Sequence, residues 1–520
     1  MRLLSLLALA ACAAPPAAFD AQRFAPFAAD LTNYAERLRT DMEVPGVWIA
    51  LLEVDPRTGR EHLWAHHLGQ PDPTGVLATH RVASISKLFT DTAAMALVEQ
   101  GRLDLDADVR DYLADFAPHN PFATPITLRH LMGHRAGVVR ESPVGHYFDP
   151  SEPSLRETVL SLNGTALVAA PGTRFKYSNP GIGVVGLVIE EVTGKPFEAA
   201  VRDLVLAPLG LTYSDFAERR DLVARTADGV MWTYDGRAIP TPDFRFGYVP
   251  AAELRSTVVD LVKFGRSWFP DATRRVISPA SQRSMWQLPD GDHGNCGLGF
   301  FVGSLDGHLR VSHGGAVYGF ASTLTALPEQ GIACAVVCTK DFAGRVASAI
   351  ATRALRSVLA NRRGETLPPP TYPEPVGVTA ARRLAGHYHI GDDWVDLLER
   401  DGELIYAPNV GVRSRLRRAA DGTLIAWDAL SIGQSRRLTV LPDGRLKDGG
   451  PETDDTRYYV RDDTPPPPAP PELHDLIGEY GWDHNVLIVY EDHGRLAVLI
   501  EWVVHDMPVR EGPDRYRFPP

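Results

Sequence analysis

Two clusters of proline divide this chain and limit how it can fold. One cluster runs through residues 368–375 and the other through residues 465–471. Because proline fixes φ and removes a backbone donor, such runs form stiff, extended linkers instead of helices or strands. The sequence therefore predicts a long N-terminal domain and two short C-terminal units. The predicted boundaries are residues 1–20 for a leader, 21–363 for the first domain, 364–376 for a linker, 377–463 for a second domain, 464–472 for a linker and 473–520 for a last β unit.

The composition excludes several classes of protein. With 520 residues, 44% hydrophobic and 23% charged, the chain has the proportions of a globular protein of more than one domain. Its formal net charge of −12, without a visible basic patch, argues against a nucleic-acid partner. Cys334 and Cys338 lie in one predicted strand, about 13 Å apart, and cannot bond each other. Cys296 could reach one of them, but the favoured interpretation is three small buried side chains.

The first residues predict export. Met1 and Arg2 precede an uncharged apolar run over residues 3–11, which is typical of a short secretory signal and too short for a membrane span. Leu9-Ala10-Ala11-Cys12 resembles the lipobox of bacterial lipoproteins, in which the cysteine thiol is acylated. We therefore expect an exported protein, periplasmic or anchored to the outer membrane through a lipid on Cys12. An ordinary signal with a chance cysteine is the alternative.

The segment before the first proline cluster mixes helical and strand patterns. Apolar residues at helical spacing predict helices over residues 21–42, 84–100 and 345–361. Runs rich in β-formers predict strands over residues 47–54, 297–302, 308–312, 321–327 and 332–339. The last four strands are joined by short turns and should form an antiparallel meander, with the closing helix beside the first helix. The predicted fold class is α/β.

The segments after the first linker have the pattern of an antiparallel β protein. Short alternating runs are separated by Asp-Gly turns at Asp401, Asp421 and Asp443, which predicts a barrel. Residues 384–388 match residues 476–480, and residues 401–404 match residues 493–496, so the chain repeats itself at one offset. The second copy is too short for eight strands. It is either an incomplete second barrel or the completion of the first.

Ser84 and Lys87 begin the apolar helix as Ser-Ile-Ser-Lys. A spacing of three puts the hydroxyl and the amine on one face of a helix. A lysine in an apolar setting loses part of its preference for the charged form, so its amine can accept a proton from a serine, which is otherwise a weak nucleophile. The same spacing also occurs on solvated helix faces. Here Val82-Ala83 and Leu88-Phe89 flank the pair, where an idle lysine would be costly.

Two further short motifs follow along the chain. In Tyr177-Ser178-Asn179 the phenol can shuttle a proton, and the carboxamide can hold a substrate amide or orient Lys87. In His313-Gly314-Gly315, after a predicted strand, two glycines allow a substrate to approach closely, and adjoining N–H groups can face a developing oxyanion. Each motif by itself is commoner as an ordinary turn. Together, in this order, they reinforce one another.

In this order the three motifs resemble the serine hydrolases of the penicillin-recognising fold, in the branch of class C β-lactamases, D-aminopeptidases, DD-peptidases and related esterases. The resemblance covers roughly residues 30–360 and includes residues 45–47, 81–87, 126–134, 254–257 with Asp260, and 297–300. It implies an antiparallel sheet flanked by helices, with an all-helical subdomain. The proline-linked β units are similar to the lipocalin-like barrels that follow the catalytic domain in some D-aminopeptidases.

The resemblance implies a role for each motif residue and no metal or cofactor. Ser84 would be the acylated nucleophile and Lys87 its proton acceptor, with Tyr177 as general base or leaving-group acid. Which of the two groups takes the serine proton stays open. The backbone N–H groups of Ser84 and Ala316 would form the oxyanion hole. The residues implied in substrate binding and oxyanion stabilisation are Asn179, His313, Gly314, Gly315 and Ala316.

One departure from the family pattern bears on the substrate. β-Lactamases and transpeptidases usually carry Lys-Thr-Gly or Lys-Ser-Gly where this chain has His313-Gly314-Gly315. Histidine is largely neutral near pH 7, so the cation for a β-lactam carboxylate is missing. Together with this departure, the resemblance implies a D-amino-acid peptidase or peptidoglycan-related amidase more than a carboxylesterase or a weak class C-like β-lactamase. The expected partner is a small peptide, ester or cell-wall-derived substrate.

Two other interpretations compete with a serine hydrolase. His130 and His134 have the spacing of a zinc pair, with His66 and His67 upstream. No glutamate follows His130 as it does in metalloprotease helices, so a capped helix end is favoured there. A lipoprotein that binds the cell wall without turnover is the alternative of another class. Binding alone needs no buried lysine, which argues against it.

Overall fold

The computed structural model describes residues 20–232, 238–289, 294–433, 436–449, 456–482, 485–500, 504–512 and 515–517. The predicted leader up to residue 19, with Cys12, lies outside these ranges. Within the ranges, no helix combines the length and the apolar character that crossing a bilayer requires.

A six-stranded antiparallel sheet forms the centre of the N-terminal domain. The predicted meander is confirmed, because the last four strands pair in sequence order. Its final strand pairs with the first strand of the chain, with Val47 opposite Cys338. The two ends of the domain therefore meet in the middle of the sheet. In order across the sheet, the strands are Glu61–Gly69, Gly46–Val54, Ile332–Cys338, Phe320–Leu327, His308–Val317 and Phe301–Leu305.

Strand Gly46–Val54 is buried along its whole length because both faces of the sheet are covered. One set of alternate side chains packs with the N-terminal helix, Ala21–Asp41, and the closing helix, Gly344–Arg362. The other set, which includes Trp48, packs with the helical part of the domain. Successive side chains of a strand point to opposite faces, so one continuous apolar run contributes to two cores.

The helical part lies between the second strand of the sheet and the meander. Helix Asn179–Thr193 packs against helix Ser86–Glu99 and against Val249–Ala252. Two short ladders join His80–Arg81 to Arg255–Ser256 and Val230–Trp232 to Ala238–Pro240. The other α-helices here are Leu128–Met132, Leu155–Ser161, Phe197–Val201, Ala207–Leu209, Arg220–Val223, Val258–Arg266 and Pro279–Met285.

The strand predicted over residues 297–302 is wrong in its first four residues. The strand begins at Phe301, and residues 297–300 form a turn. Gly299 has φ of +81°, and a Cβ built on it would lie 2.2 Å from Asp91 Oδ2. The segment therefore bends around the helix Ser86–Glu99 instead of extending, which its β-favouring composition does not reveal.

The three described cysteines are Cys296, Cys334 and Cys338, and all of them are buried. None of the three takes part in a disulfide. Burial raises the pKa of the Cys338 thiol to about 12. These cysteines therefore act as small apolar side chains, as the sequence predicts.

Eight antiparallel strands after the first linker close into a barrel, as predicted. Closure occurs because Ser414–Arg418 pairs with Glu403–Pro408 on one side and with Leu424–Ala426 on the other. The interior includes the fully buried side chains of Tyr388 and Leu404. Eight strands make an interior that side chains just fill. The strands are Gly386–Ile390, Asp393–Arg400, Glu403–Pro408, Ser414–Arg418, Leu424–Ala426, Arg437–Val440, Leu446–Asp448 and Arg457–Asp462.

Within residues 473–520, the last segment, the described residues form an open sheet beside the barrel. The barrel closes without a strand from this segment. The strand Gly411–Val412, from the connection before Ser414–Arg418, pairs with Val504–Asp506 and so extends this sheet. A hairpin of Val509–Gly512 and Arg515–Arg517 follows. The four strands that the last segment itself contributes to the sheet are Gly478–Trp482, Asn485–Asp492, Arg495–Ile500 and Val504–Asp506.

The barrel docks on the two-helix face of the N-terminal domain. Trp427 Nε1 donates to Asp41 Oδ2 at 3.2 Å, and the Arg415 guanidinium donates to the Asp41 carbonyl oxygen. Ala429 and Ile432 are buried in the cluster that contains the N-terminal and closing helices. The barrel therefore covers the side of the sheet opposite to the helical part.

Candidate active site

Ser84 lies in a short 3₁₀ turn, Ala83–Ile85, that leads directly into helix Ser86–Glu99. Ala83 has φ of +51°, a left-handed conformation that is strained for a residue with a Cβ. Neighbouring backbone holds the turn, since Ser86 Oγ accepts from the Leu254 N–H at 3.0 Å. The Ser84 hydroxyl is thereby presented at the head of a helix, where the helix dipole favours negative charge.

Lys87 lies one turn further along and is completely buried. Its Nζ donates to Asn179 Oδ1 at 2.9 Å and to the Ala251 carbonyl oxygen at 2.8 Å. Nζ also lies 3.0 Å from Ser84 Oγ. Because the amide and carbonyl oxygens can only accept, they take two N–H groups of the amine. When the amine is neutral, its lone pair is left facing the Ser84 hydroxyl.

The electrostatics of the site favour this neutral amine. Burial is the main cause that lowers the pKa of Lys87 to about 7; Glu141 and Asp91 oppose the shift, and the Arg140 charge acts in the same direction as burial. A base whose pKa lies near 7 is present in both protonation states at neutral pH. Lys87 can therefore accept a proton and release it again.

Tyr177 is the second titratable group at Ser84. Its half-buried ring stacks on His134, with 4.2 Å between the ring centroids. Burial raises the pKa of Tyr177 well above its ordinary value, and a hydrogen bond with Ser84 opposes the shift. Lys87 Nζ lies 5.0 Å and Arg140 Cζ 5.4 Å from the ring centroid, in the range of cation–π contacts. At neutral pH the phenol is therefore protonated and can act as a proton donor.

A carboxylate fixes the orientation of the Asn179 amide. Asn179 is the first residue of its helix, which Ser178 caps by accepting from the Gly181 N–H at 3.0 Å. Asn179 Nδ2 donates to Glu141 Oε1 at 2.8 Å, and the Tyr248 hydroxyl donates to Glu141 Oε2 at 2.9 Å. With its nitrogen held by Glu141, the amide must turn Oδ1 toward Lys87.

His313 is buried and neutral. Burial lowers its pKa to about 3, with the Lys87 charge acting in the same direction. Its Nδ1 lies 2.5 Å from the Gly314 carbonyl oxygen, which can only accept, so Nδ1 carries the hydrogen. Among the described residues Nε2 has no hydrogen-bond partner, so this buried nitrogen is left as an acceptor.

The second half of strand His308–Val317 borders the nucleophile. Strand Phe301–Leu305 covers this edge only up to Ser312, and the residues beyond it contact the Ala83–Ile85 turn. A Cβ on Gly315 would lie 2.1 Å from the Val82 carbonyl oxygen and 2.4 Å from Ser322 Oγ. Only glycine permits this approach, which brings Ala316 beside Ser84 in one cavity.

We expect Gly315→Ala to damage the site and Gly314→Ala to leave the fold intact. The alanine methyl at 315 must push the strand away from the turn, and a misplacement near 1 Å can cost about 100-fold in rate. A methyl at 314 meets only the Ser322 carbonyl oxygen, at an ordinary 3.6 Å. Melting temperature and the rate of acylation by a fluorophosphonate measure the two effects. Equal acylation rates in both variants would contradict the close approach.

A single cavity of about 600 Å³ opens over these groups. Aromatic side chains, including Tyr147 and Phe148, form its walls. Among its described lining residues, Arg140 is the single lysine or arginine, and Glu141 and Asp341 are the acids. The predicted residues that line it are Ser84, Tyr177, Asn179, His313, Gly314, Gly315 and Ala316, and Lys87 lies behind Ser84.

The structure also adds residues that the motifs did not indicate. Glu141 and Tyr248 have no motif of their own, and the chain brings them to Asn179 only by folding. Asp91 could have been noticed, because it lies one turn after Lys87 in an otherwise apolar helix. Burial raises its pKa well above the ordinary value, with the Lys87 charge opposing the shift.

The histidines considered as a zinc pair have separate environments. His134 stacks on Tyr177, and its Nδ1 accepts from the Ser178 N–H at 3.3 Å. His130 lies in the middle of the short helix Leu128–Met132 and beside Gly172. His66 stacks on Trp64, and His67 stacks on Trp48. His134 therefore packs against the Tyr177 ring and does not form a pair with His130.

A serine hydroxyl, a buried amine with a pKa near 7, a protonated phenol and an open strand edge in one cavity define a serine hydrolase. The Beta-lactamase family model matches residues 35–358, which is more than half of the chain. The chain belongs to the β-lactamase family.

One curated relative and two solved structures illustrate what this chain is similar to. The chain is 28% identical over 386 residues to Penicillin-binding protein 4 of Amycolatopsis lactamdurans, covering 69% of this chain and 97% of that protein. The octameric penicillin-binding protein homologue from Pyrococcus abyssi has a similar fold, with a TM-score of 0.58, 21% identity and coverage of 92% of this chain and 99% of that chain. The D-amino acid amidase from Ochrobactrum anthropi matches with a TM-score of 0.54, 23% identity and coverage of 64% and 100% respectively.

We expect removal of residues 368–520 to lower stability without changing the order of substrate preference. The deletion uncovers the surface packed by Ala429 and Ile432 and removes two hydrogen bonds to Asp41, at a cost on the order of 2–4 kcal/mol. Scanning calorimetry and a substrate panel measure the two properties. A changed preference would show that the barrel reaches the cavity, whose described lining residues all lie within 84–348.

Proposed function

We propose that this protein hydrolyses amide bonds of small D-amino-acid amides or peptides through an acyl-enzyme on Ser84. The observation that carries the proposal is the arrangement of Lys87, whose amine is held by two acceptors so that its third direction meets Ser84 Oγ at 3.0 Å. The two acceptors account for two of its hydrogen bonds, and the contact with Ser84 is left for chemistry. The amine is suited to removing the hydroxyl proton.

In the first step Ser84 Oγ attacks the substrate carbonyl carbon and its proton moves to Lys87 Nζ. The carbonyl oxygen becomes an oxyanion, for which the Ser84 and Ala316 N–H groups are the candidate donors. The C–N bond then breaks, and the leaving nitrogen takes a proton from Tyr177, which recovers one from Lys87. Water attacks the ester in the second half, with the same groups acting in reverse order.

The pKa directions support Lys87 as the proton acceptor and Tyr177 as the donor. The pKa of Lys87 falls to about 7, whereas that of Tyr177 rises above its ordinary value. Removing the phenol proton first would require forming a phenolate in a partly desolvated site. Proton transfer from Ser84 to neutral Lys87 does not require a phenolate.

The charge around the cavity supports the proposed substrate class. Neutral His313 offers Nε2 as an acceptor where other family members carry a lysine, and Glu141 and Asp341 add negative charge. Arg140 lies 3.6 Å from Glu141 and is partly neutralised by it. This environment favours a substrate with an amino group next to the scissile carbonyl over one with a carboxylate. The D configuration is proposed from the family resemblance and from the D-amino acid amidase among the fold relatives.

A matched panel tests the proposal. D-phenylalanine amide, its L enantiomer, its N-acetyl derivative, a p-nitrophenyl ester and nitrocefin are compared by kcat/KM. We expect the free D-amide to exceed the N-acetyl form by about tenfold or more, which corresponds to one ionic contact. It should also exceed the L form, in which the same ammonium group points in another direction. Faster turnover of nitrocefin than of every amide would overturn the proposal.

We expect His313→Lys to shift the preference toward β-lactams. A lysine there supplies the cation that a β-lactam carboxylate needs and repels the ammonium of an amino-acid amide. The ratio of nitrocefin to D-amide kcat/KM should rise by about tenfold or more. His313→Gln, which is neutral like the wild-type ring, serves as the control. An unchanged ratio in the lysine variant would remove His313 from the specificity argument.

An esterase is the second candidate, and the aromatic walls of the cavity favour it. Tyr147, Phe148, Phe301 and Tyr318 provide apolar surface for an acyl chain.

We also propose that the protein is exported and anchored through Cys12. Incorporation of labelled palmitate that disappears in Cys12→Ser would support the anchor, and equal incorporation would refute it.

A further inference from the structure

A cluster of two histidines and an aspartate joins the barrel to the last β unit. His387 and Asp396 face each other on adjacent barrel strands, and His387 Nδ1 lies 2.7 Å from Asp396 Oδ1. His493 Nε2, from the last unit, lies 2.8 Å from Asp396 Oδ2. One donor atom from each residue lies within 4.8 Å of the other two. The carboxylate therefore bridges two imidazoles that belong to different units.

Histidine is an unusual residue at the turn position that His493 occupies. It lies between strands Asn485–Asp492 and Arg495–Ile500 with φ of +51°, followed by Gly494 at +75°. The matching position in the internal repeat is Asp401, with φ of +52°, and aspartate is a common residue there. Histidine tolerates this conformation and, unlike aspartate, extends an imidazole to the neighbouring unit.

The surroundings of the cluster suit a cation. Side-chain exposures of 23% for His387, 16% for Asp396 and 19% for His493 leave the donors partly covered but reachable. A second carboxylate lies close, with Asp492 Oδ1 at 3.8 Å from His493 Nε2. Of the positive groups nearby, Arg495 is directed to the Trp394 ring and to Asp392, and the Arg413 charge acts on Asp492. Two imidazoles with one or two carboxylates form a donor set that zinc accepts in proteins.

We propose that His387, Asp396 and His493 bind a zinc ion that fastens the last β unit to the barrel. Zinc would replace the two ring hydrogens that now face Asp396, and each neutral ring would keep its hydrogen on the other nitrogen. Asp492 or a water molecule would complete a tetrahedral set. The site is distinct from the hydrolase cavity, because none of these residues lines it. Zinc here would act on the stability of the C-terminal units and not on the reaction.

The full-length protein is loaded with zinc, freed of excess by gel filtration and analysed for bound metal. We expect about one equivalent in wild type and a loss of that equivalent in Asp396→Asn and His493→Asn. Asparagine also tolerates the left-handed turn, so the second variant removes the ligand without removing the turn. His389→Gln, on the same strand with its ring 6.1 Å from that of His387, should keep the metal.

A thermal measurement completes the test. Zinc should raise the melting temperature of wild type and His389→Gln by about 2 °C or more, and should not affect the two ligand variants. Zinc affinity in those variants should fall by roughly 100-fold. Equal zinc content in wild type and His493→Asn, or no zinc in either, would overturn the proposal and leave a hydrogen-bonded contact. Hydrolysis rates should be the same with and without a chelator.

Discussion

Ser84→Ala should lose hydrolysis almost completely while the protein keeps its fold. The hydroxyl is the attacking group, and removal of a nucleophile that works with a dedicated base costs about 10⁴-fold or more in kcat. The lost atoms are small, and Lys87 keeps its bonds to Asn179 and Ala251. Rates on the best substrate of the panel, together with the melting temperature, measure both parts of the prediction.

Labelling by a fluorophosphonate gives an independent measure of the same group. Wild type should be labelled and Ser84→Ala should not. Ser348→Ala is a matched control, because Ser348 lines the same cavity and is exposed but has no part in the motif. If wild type and Ser84→Ala were labelled equally, the hydrolase mechanism would fail, and a protein that binds cell-wall material without turnover would become the better explanation.

Lys87→Met should slow acylation by about 10²–10⁴-fold, the usual contribution of a general base. Methionine has a similar length and no charge, so it fills the buried space. It leaves Asn179 Oδ1 and the Ala251 carbonyl oxygen without their donor, at a cost of about 1–3 kcal/mol each. We expect a lower melting temperature as well as the slower reaction, and stopped-flow acylation separates the two.

The pH dependence separates loss of the base from loss of stability. Only neutral Lys87 can take the proton, and its pKa is lowered to about 7, so wild-type kcat/KM should fall as the pH drops through about 7. Glu141 favours the charged amine, so Glu141→Gln should move this fall to lower pH. The fall should be absent in Lys87→Met. Its persistence there would assign the titration to another group.

Several parts of this protein could be predicted from the sequence because they depend on local patterns. The meander was predictable from short alternating runs and their turns, and the barrel from repeated Asp-Gly turns. The Ser84 and Lys87 pair was predictable because a spacing of three in a helix fixes which side chains are neighbours. Where the local pattern conflicts with tertiary packing, as at residues 297–300, the prediction was wrong.

Other parts depend on contacts between distant segments. Glu141 reaches Asn179 and Tyr248 across separations of 38 and 107 residues, and no periodicity encodes such contacts. The closure of the barrel without the last segment also depended on one pairing, that of Ser414–Arg418 with Leu424–Ala426.

The sequence by itself determined the class of fold and indicated which side chains could meet at the candidate site, because these follow from periodicity and from side-chain chemistry. Only the tertiary structure decided the protonation states. Burial and neighbouring charges set the pKa of Lys87 near 7 and keep Tyr177 protonated and His313 neutral. Desolvation is a property of the assembled core, and it exists only once the helices Ser86–Glu99 and Asn179–Thr193 have packed together.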